Sequence, residues 1–211
     1  MTFEFPRSRI QIFCKVPVPG QVMTRLIDEL GAEGAAKLHR RLATRIIDEC
    51  RRAGLAPVEL WCTPATDHEF FTAMTDETVS LHLQQGEDLG ERMFEGARFA
   101  LEDESAASVV IIGTDCPELD AAYLRLALQR LDDHDAVIGP ARDGGYGLIG
   151  FQAVNRRYFS DIAWGGDTVC ADTCRAFNDA GLNWSLLPLL HDIDTPEDLK
   201  TGLSKRTLNL F

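Results

Sequence analysis

Apolar residues along this chain keep two rhythms, one of strands and one of helices. The plainest strand is Val109-Val110-Ile111-Ile112, four β-branched residues in a row closed by Gly113. A run with no polar alternation is buried on both faces, as in a parallel sheet. Residues 9–15, 58–62, 79–83, 136–139, 146–151 and 184–190 read as further strands. The clearest helix covers 32–52, with Ala35, Leu38, Leu42, Ile46 and Cys50 along one face and Gly54 ending it. Helical patterns also cover 67–74, 88–101, 121–131 and 167–180; the helix at 88–101 has acidic residues in its first turn, where they favour its dipole. Thr195 and Pro196 are suited to the N-cap and the first position of a last helix. Strands alternating with helices through the first half predict a three-layer α/β/α sandwich with a mostly parallel sheet. With no repeat, low-complexity tract or linker, residues 1–211 are expected to form a single domain.

Composition narrows the partners. Apolar content of 45% and charged content of 26% are ordinary for a globular protein. A net charge of −12 argues against a nucleic-acid partner and against an anionic membrane surface. No run has the length of a signal-peptide core or a membrane span, so a cytoplasmic location is expected. The six cysteines are scattered, and only Cys170 and Cys174 stand one helical turn apart. Without a second pair they read as small buried residues and not as a zinc site.

Chemistry gathers at the strand ends. Asp115 lies just past the Val109 strand, where open α/β sheets bind ligands; a turn-capping role would also suit it. Asp143 precedes Gly144 and Gly145, which let a backbone pass close to a ligand, although a plain turn explains it equally well. Asp192 and Asp194, two residues apart in a strand-like segment, would share one face and repel each other unless a cation intervenes; capping the last helix is the alternative. A hard cation such as Mg²⁺ takes one or two carboxylates and bridges to substrate phosphates. Pro17, Pro19 and Gly20 bend the first loop, and Lys15 and Arg25 bracket it, placed to meet phosphates. Glu91 and Arg92 read as a solvated helix face. Of the histidines, only His191, beside Asp192, reads as a site neighbour. The G-x-G-x-x-G pattern at Gly145, Gly147 and Gly150 lies within a strand, so it lacks the helix N-terminus that holds a pyrophosphate. That absence argues against a dehydrogenase. Phosphate-loop, nucleophile-elbow and zinc-helix motifs are also missing.

Five segments resemble one family: FCKVPVPGQVMTRL (13–26), GEDLGERM (86–93), IGTDCPEL (112–119), GPARDGGYGLIG (139–150) and DIDTPEDL (192–199). They are similar to the radical-SAM/selenodomain-associated transferases. These are glycosyltransferase-A-like proteins related to nucleotide-diphospho-sugar transferases and, more distantly, to 2-phospho-lactate guanylyltransferase. The resemblance spans nearly the whole chain in order. It implies a GT-A fold with Asp115 as the metal-binding aspartate and Asp192 or Asp194 as the second metal contact. The Asp143-Gly144-Gly145-Tyr146 turn would face the acceptor, and Lys15 and Arg25 would sit where the first loop meets the nucleotide phosphates. One departure stands out: the family has K-T-R-L where this chain has Met23-Thr24-Arg25-Leu26.

The expectation is a transferase acting on a nucleotide or nucleotide sugar with Mg²⁺ or Mn²⁺. Asp115 and Asp143 are its candidate catalytic carboxylates, and Asp115, Asp192 and Asp194 its candidate metal ligands. Lys15, Gly20, Arg25, Thr114, Gly144, Gly145 and Tyr146 are candidate substrate-binding residues. Glycosyl transfer is favoured over nucleotidyl transfer, because a diphosphate leaving group asks for fewer cations than a triphosphate and the loop has few. The alternatives are a nucleotidyltransferase and a nucleotide-binding protein without catalysis. The latter would serve a partner through an apolar tail at 208–211, a homodimer being one such arrangement.

Overall fold

Seven strands make one sheet: β1 (Ser8–Lys15), β2 (Val58–Thr63), β3 (Val79–Leu83), β4 (Ser108–Ile112), β5 (Ala136–Pro140), β6 (Tyr146–Phe151) and β7 (Trp184–Leu186). The structure, a computed structural model, describes residues 2–200; the tail at 208–211 lies outside them. Strand order is β3-β2-β1-β4-β6-β5-β7. Every pairing is parallel except the two made by β6, which runs antiparallel to both β4 and β5. The expected neighbours sit side by side at the centre, with Arg9 opposite Val109 and Ile12 opposite Ile112.

Both faces of the sheet are covered. On one, Ile10, Ile12, Val110, Ile112 and Leu148 pack with residues of α1 (Ile27–Ala53) and α4 (Ala121–Arg130). On the other, Val109, Ile111, Ile149 and Phe151 pack with residues of α3 (Leu89–Arg98) and α5 (Val169–Asp179). Alternate residues of β4 thus enter different cores, which is why its sequence shows no polar alternation. The short α2 (Glu69–Thr72) and α6 (Pro196–Lys200) complete the helices. Among the described residues, no helix is long and apolar enough to cross a membrane.

Three local features shape the site. Gly31 breaks α1 with φ 69° and ψ 163°, so the regular helix starts at residue 32, where the sequence pattern begins. Asp88 caps α3 by accepting from the Glu91 amide at 2.8 Å. The strand expected over 184–190 pairs only as far as Leu186. Beyond it, the Leu187 and Leu190 amides still donate to the Ile138 and Pro140 carbonyls, each at 2.8 Å. Pro188, between them, has no amide hydrogen to donate.

Candidate active site

Because β1 and β4 run parallel and side by side, their carboxyl ends open onto the same edge of the sheet. Lys15 is the last residue of β1 and is exposed. His39, buried on α1, donates from Nε2 to the Lys15 carbonyl at 3.0 Å and so fixes the start of the first loop. The loop then turns through Gly20 at φ 81° and Met23 at φ 46°, and enters a 3-10 turn over Thr24–Leu26. At the end of β4, the Asp115 carbonyl accepts from the Ile193 amide at 3.0 Å. That bond draws the C-terminal segment to the site.

The result is a cleft of about 490 Å³. Of the residues expected from sequence, Lys15, Arg25, Thr114, Asp115, Tyr146 and Asp194 all line it. Asp115 is open to the cleft's water yet walled in by protein. Burial, helped by the like charges of Asp143 and Asp194, pushes its carboxyl above the ordinary range, while His39 works the other way.

Other expected residues do not line the cleft, although Asp143 is near enough for its charge to be felt at Asp115. Gly20, Asp143, Gly144, Gly145 and Asp192 are not among the cleft's lining residues. Asp143 holds its own turn, accepting from the Gly145 amide at 2.8 Å. Gly144, at φ 89°, packs so tightly on Asp167 that a Cβ there would fall inside the Asp167 carbonyl group. Its own carbonyl accepts from the Cys170 amide at 2.9 Å, so the turn is braced against the start of α5. His191 pairs with Glu118 at 2.9 Å and does not line the cleft.

The strand geometry expected of the candidate metal ligands is not the one found. Asp192 and Asp194 do not share the face of a strand, because strand pairing has ended and both lie in irregular backbone. Asp194 reaches into the cleft and forms an ion pair with Arg25, so a candidate metal ligand and a candidate phosphate cation hold each other. Among the described residues, no group of three or more His, Cys, Asp or Glu side chains is placed to hold a metal ion. Asp115, Asp192 and Asp194 are therefore not a ready-made cage. Asp115 and Asp194 remain as two carboxylate donors on one cleft, and the Asp194 charge is felt at Asp115. That donor set suits a hard divalent cation that takes its remaining ligands from water and phosphate.

Sequence reading missed several polar residues of the lining, among them His39, Gln84 and Arg92. His39 could have been found as the polar member of the apolar face of the 32–52 helix. Gln84, whose Nε2 donates to the Trp61 carbonyl at 2.8 Å, carries no such signal. Arg92 reads from sequence as part of a solvated face, because a helical pattern alone does not tell which edge of α3 overhangs the sheet.

Residues 46–166 match the model of the DUF2064 family, described as uncharacterized proteins conserved in bacteria. A crystal structure of a "putative nucleotide-diphospho-sugar transferase" from Desulfovibrio desulfuricans G20 is 35% identical, with a TM-score of 0.86 over 93% of this chain and 86% of that one. A CMP:2-keto-3-deoxy-manno-octonic acid synthetase complexed with CTP is 12% identical, with a TM-score of 0.56 over 96% and 98%. Rv0371c from Mycobacterium tuberculosis H37Rv, in complex with manganese, is 16% identical, with a TM-score of 0.51 over 92% and 96%. The last two likenesses are of fold alone. A search of curated proteins gives no match. With more than half its length matched by the family model, and with this seven-stranded sheet and cleft, the chain belongs to the DUF2064 family.

Proposed function

We propose that this protein is a transferase that acts, as a single domain, on a nucleotide-activated substrate, and that it transfers a glycosyl group from a nucleotide diphosphate to an acceptor. The observation that carries the reading is the placement of Lys15 and Asp115 past the ends of adjacent strands, on one cleft. The 35% identical relative, itself described as a putative transferase of nucleotide-diphospho sugars, points the same way. Lys15 offers charge-assisted hydrogen bonds to phosphate oxygens. Asp115, with Asp194, would hold Mg²⁺ or Mn²⁺, whose charge offsets that of the diphosphate as it leaves. Thr114 and Tyr146 line the same cleft, Tyr146 on the wall assigned to the acceptor. Asp143, outside the cleft's lining but near enough for its charge to be felt at Asp115, is the carboxylate proposed to take the acceptor's proton, from a turn that Gly144 and Gly145 hold in place.

Thermal-shift measurements with nucleoside diphosphates, nucleotide sugars and nucleoside triphosphates, each with and without Mg²⁺ or Mn²⁺, test the reading. A ligand at a hundredfold above its dissociation constant adds about 2.7 kcal/mol of stability. No shift with any of them would overturn it. Nucleotidyl transfer is the second reading, favoured by the fold shared with a synthetase solved with CTP. Release of pyrophosphate from a triphosphate, instead of a nucleoside diphosphate from a nucleotide sugar, would select it.

A further inference from the structure

We propose that Arg92 of α3 is the cation that grips the substrate's phosphates, in place of the lysine that the first loop lacks. The inference rests on the nucleotide-binding reading above and adds a residue and a geometry to it.

Three positions on the first loop's side of the cleft could carry a cation, and two fall short. Met23 lines the cleft without a charge, and Arg25, largely exposed, shares its charge with Asp194 as long as Asp194 holds no cation. Lys15 remains, a single ammonium for a group carrying two or more negative charges. Arg92 lines the same cleft from a different wall. Its Nε donates to the Gly86 carbonyl at 3.1 Å, which fixes one edge of the guanidinium. Among the described residues, no carboxylate lies within 4.0 Å of its other nitrogens to form an ion pair. Two of the nearby acids are engaged elsewhere. Asp88 accepts from the Glu91 amide, and Glu91 accepts from the Glu87 amide and pairs with Arg156. The planar fork left over matches two phosphate oxygens.

The mount is rigid. Gly86, at φ 132°, has no room for a Cβ, which would come within 2.7 Å of the Glu91 Cβ and 2.9 Å of the Arg92 nitrogen. The Arg92 amide donates to the Asp88 carbonyl at 3.2 Å, inside the first turn of α3. The loop before α3 is thus locked onto the helix that carries the guanidinium, and little side-chain freedom is left to lose on binding.

Calorimetric titration with UDP, CDP, GDP and ADP in Mg²⁺, alongside the parent nucleosides, tests the assignment. Arg92→Gln should weaken the best diphosphate by at least tenfold, about 1.4 kcal/mol, and leave its nucleoside unchanged. Adding Met23→Lys to that variant should recover most of the loss, and raising salt should shrink both effects. Arg92→Lys, which keeps the charge without the fork, should fall between wild type and Arg92→Gln, and it serves alone if the glutamine variant does not fold. Unchanged diphosphate affinity in both Arg92 variants would overturn the inference. So would an equal loss for nucleoside and diphosphate, or no recovery with Met23→Lys, since each makes Arg92 a clamp for the Gly86 loop and nothing more. If wild type binds no diphosphate at all, the nucleotide-binding reading falls first and this inference with it.

Discussion

Replacing Asp192 with asparagine should stabilise the cation-free protein at neutral pH and leave it unchanged in acid. Burial, reinforced by the like charges of Asp143 and Asp115, moves the Asp192 carboxyl from 3.8 up to about 6. The folded protein therefore holds this proton more tightly than the unfolded chain does. Stability from the protonated carboxyl is fully present below pH 3.8 and is lost as pH rises toward 6, above which a constant cost remains. A carboxylate wholly cut off from water would lose about 3 kcal/mol over that range. Asp192 is only half enclosed, so screening leaves roughly 1 kcal/mol, or about 2–4 °C in melting temperature for a chain of this size. The wild-type profile alone does not isolate this effect. Burial lowers the pKa of His39 and of His82, and both therefore destabilise the fold as pH falls through 6.5. The difference between Asp192→Asn and wild type cancels the histidines. Measured in EDTA by urea unfolding from pH 4.5 to 7.5, that difference should grow up to about pH 6.5 and then level off. A flat difference across the range would show that neither burial nor the acidic neighbours raise the Asp192 carboxyl.

Other expectations follow from the same geometry. Asp115→Asn removes a charge that burial and Asp143 oppose, so the cation-free melting temperature should rise by a few degrees while stabilisation by Mn²⁺ disappears; an undiminished Mn²⁺ effect would remove Asp115 from the metal site. Asp194→Asn breaks an ion pair that is largely in water, with Arg25 61% exposed. It should therefore change stability by less than about 1 kcal/mol while weakening Mn²⁺ binding, and a larger loss in urea unfolding would contradict this. Gly144→Ala forces a Cβ into the Asp167 carbonyl at a positive φ and should cost at least about 2 kcal/mol. Unfolding midpoints check that value, and a neutral result would mean the turn is not braced by α5.

The sheet's centre was legible in the sequence because its signal is chemical. Four β-branched residues with no polar partner leave few options but a strand buried on both faces, and β4 is that strand. The 32–52 helix was legible for the same reason, down to its start after Gly31. Direction was not legible: Tyr146–Phe151 reads as a strand either way, and nothing in its pattern says that it runs against β4. The site was legible at the strand ends, where Lys15 and Asp115 depend only on β1 and β4 being neighbours. It failed where placement depends on irregular backbone. The spacing of Asp192 and Asp194 suggests a strand's alternation that their segment does not have. Arg92 was missed because its role depends on which side of a helix faces a cleft built mainly by other elements.

The central place of β1 also shapes how the chain is made. The Ser8 and Ser108 hydroxyls meet at 2.8 Å across 100 residues of sequence. A ribosome adding 5–20 residues per second needs about 5–20 s to cover that separation. Through that interval β1, β2 and β3 can pair with one another, but β1's other edge, destined for β4, has no strand to receive. Unpaired strand edges of this kind template association between chains. Protection during synthesis must come from outside the sheet, or from α1, which follows β1 directly and packs against it. Variants that weaken the α1 packing of Ala43, Ile46 or Ile47 should therefore show their cost first as loss of soluble yield, before any loss of nucleotide binding in the protein that does fold.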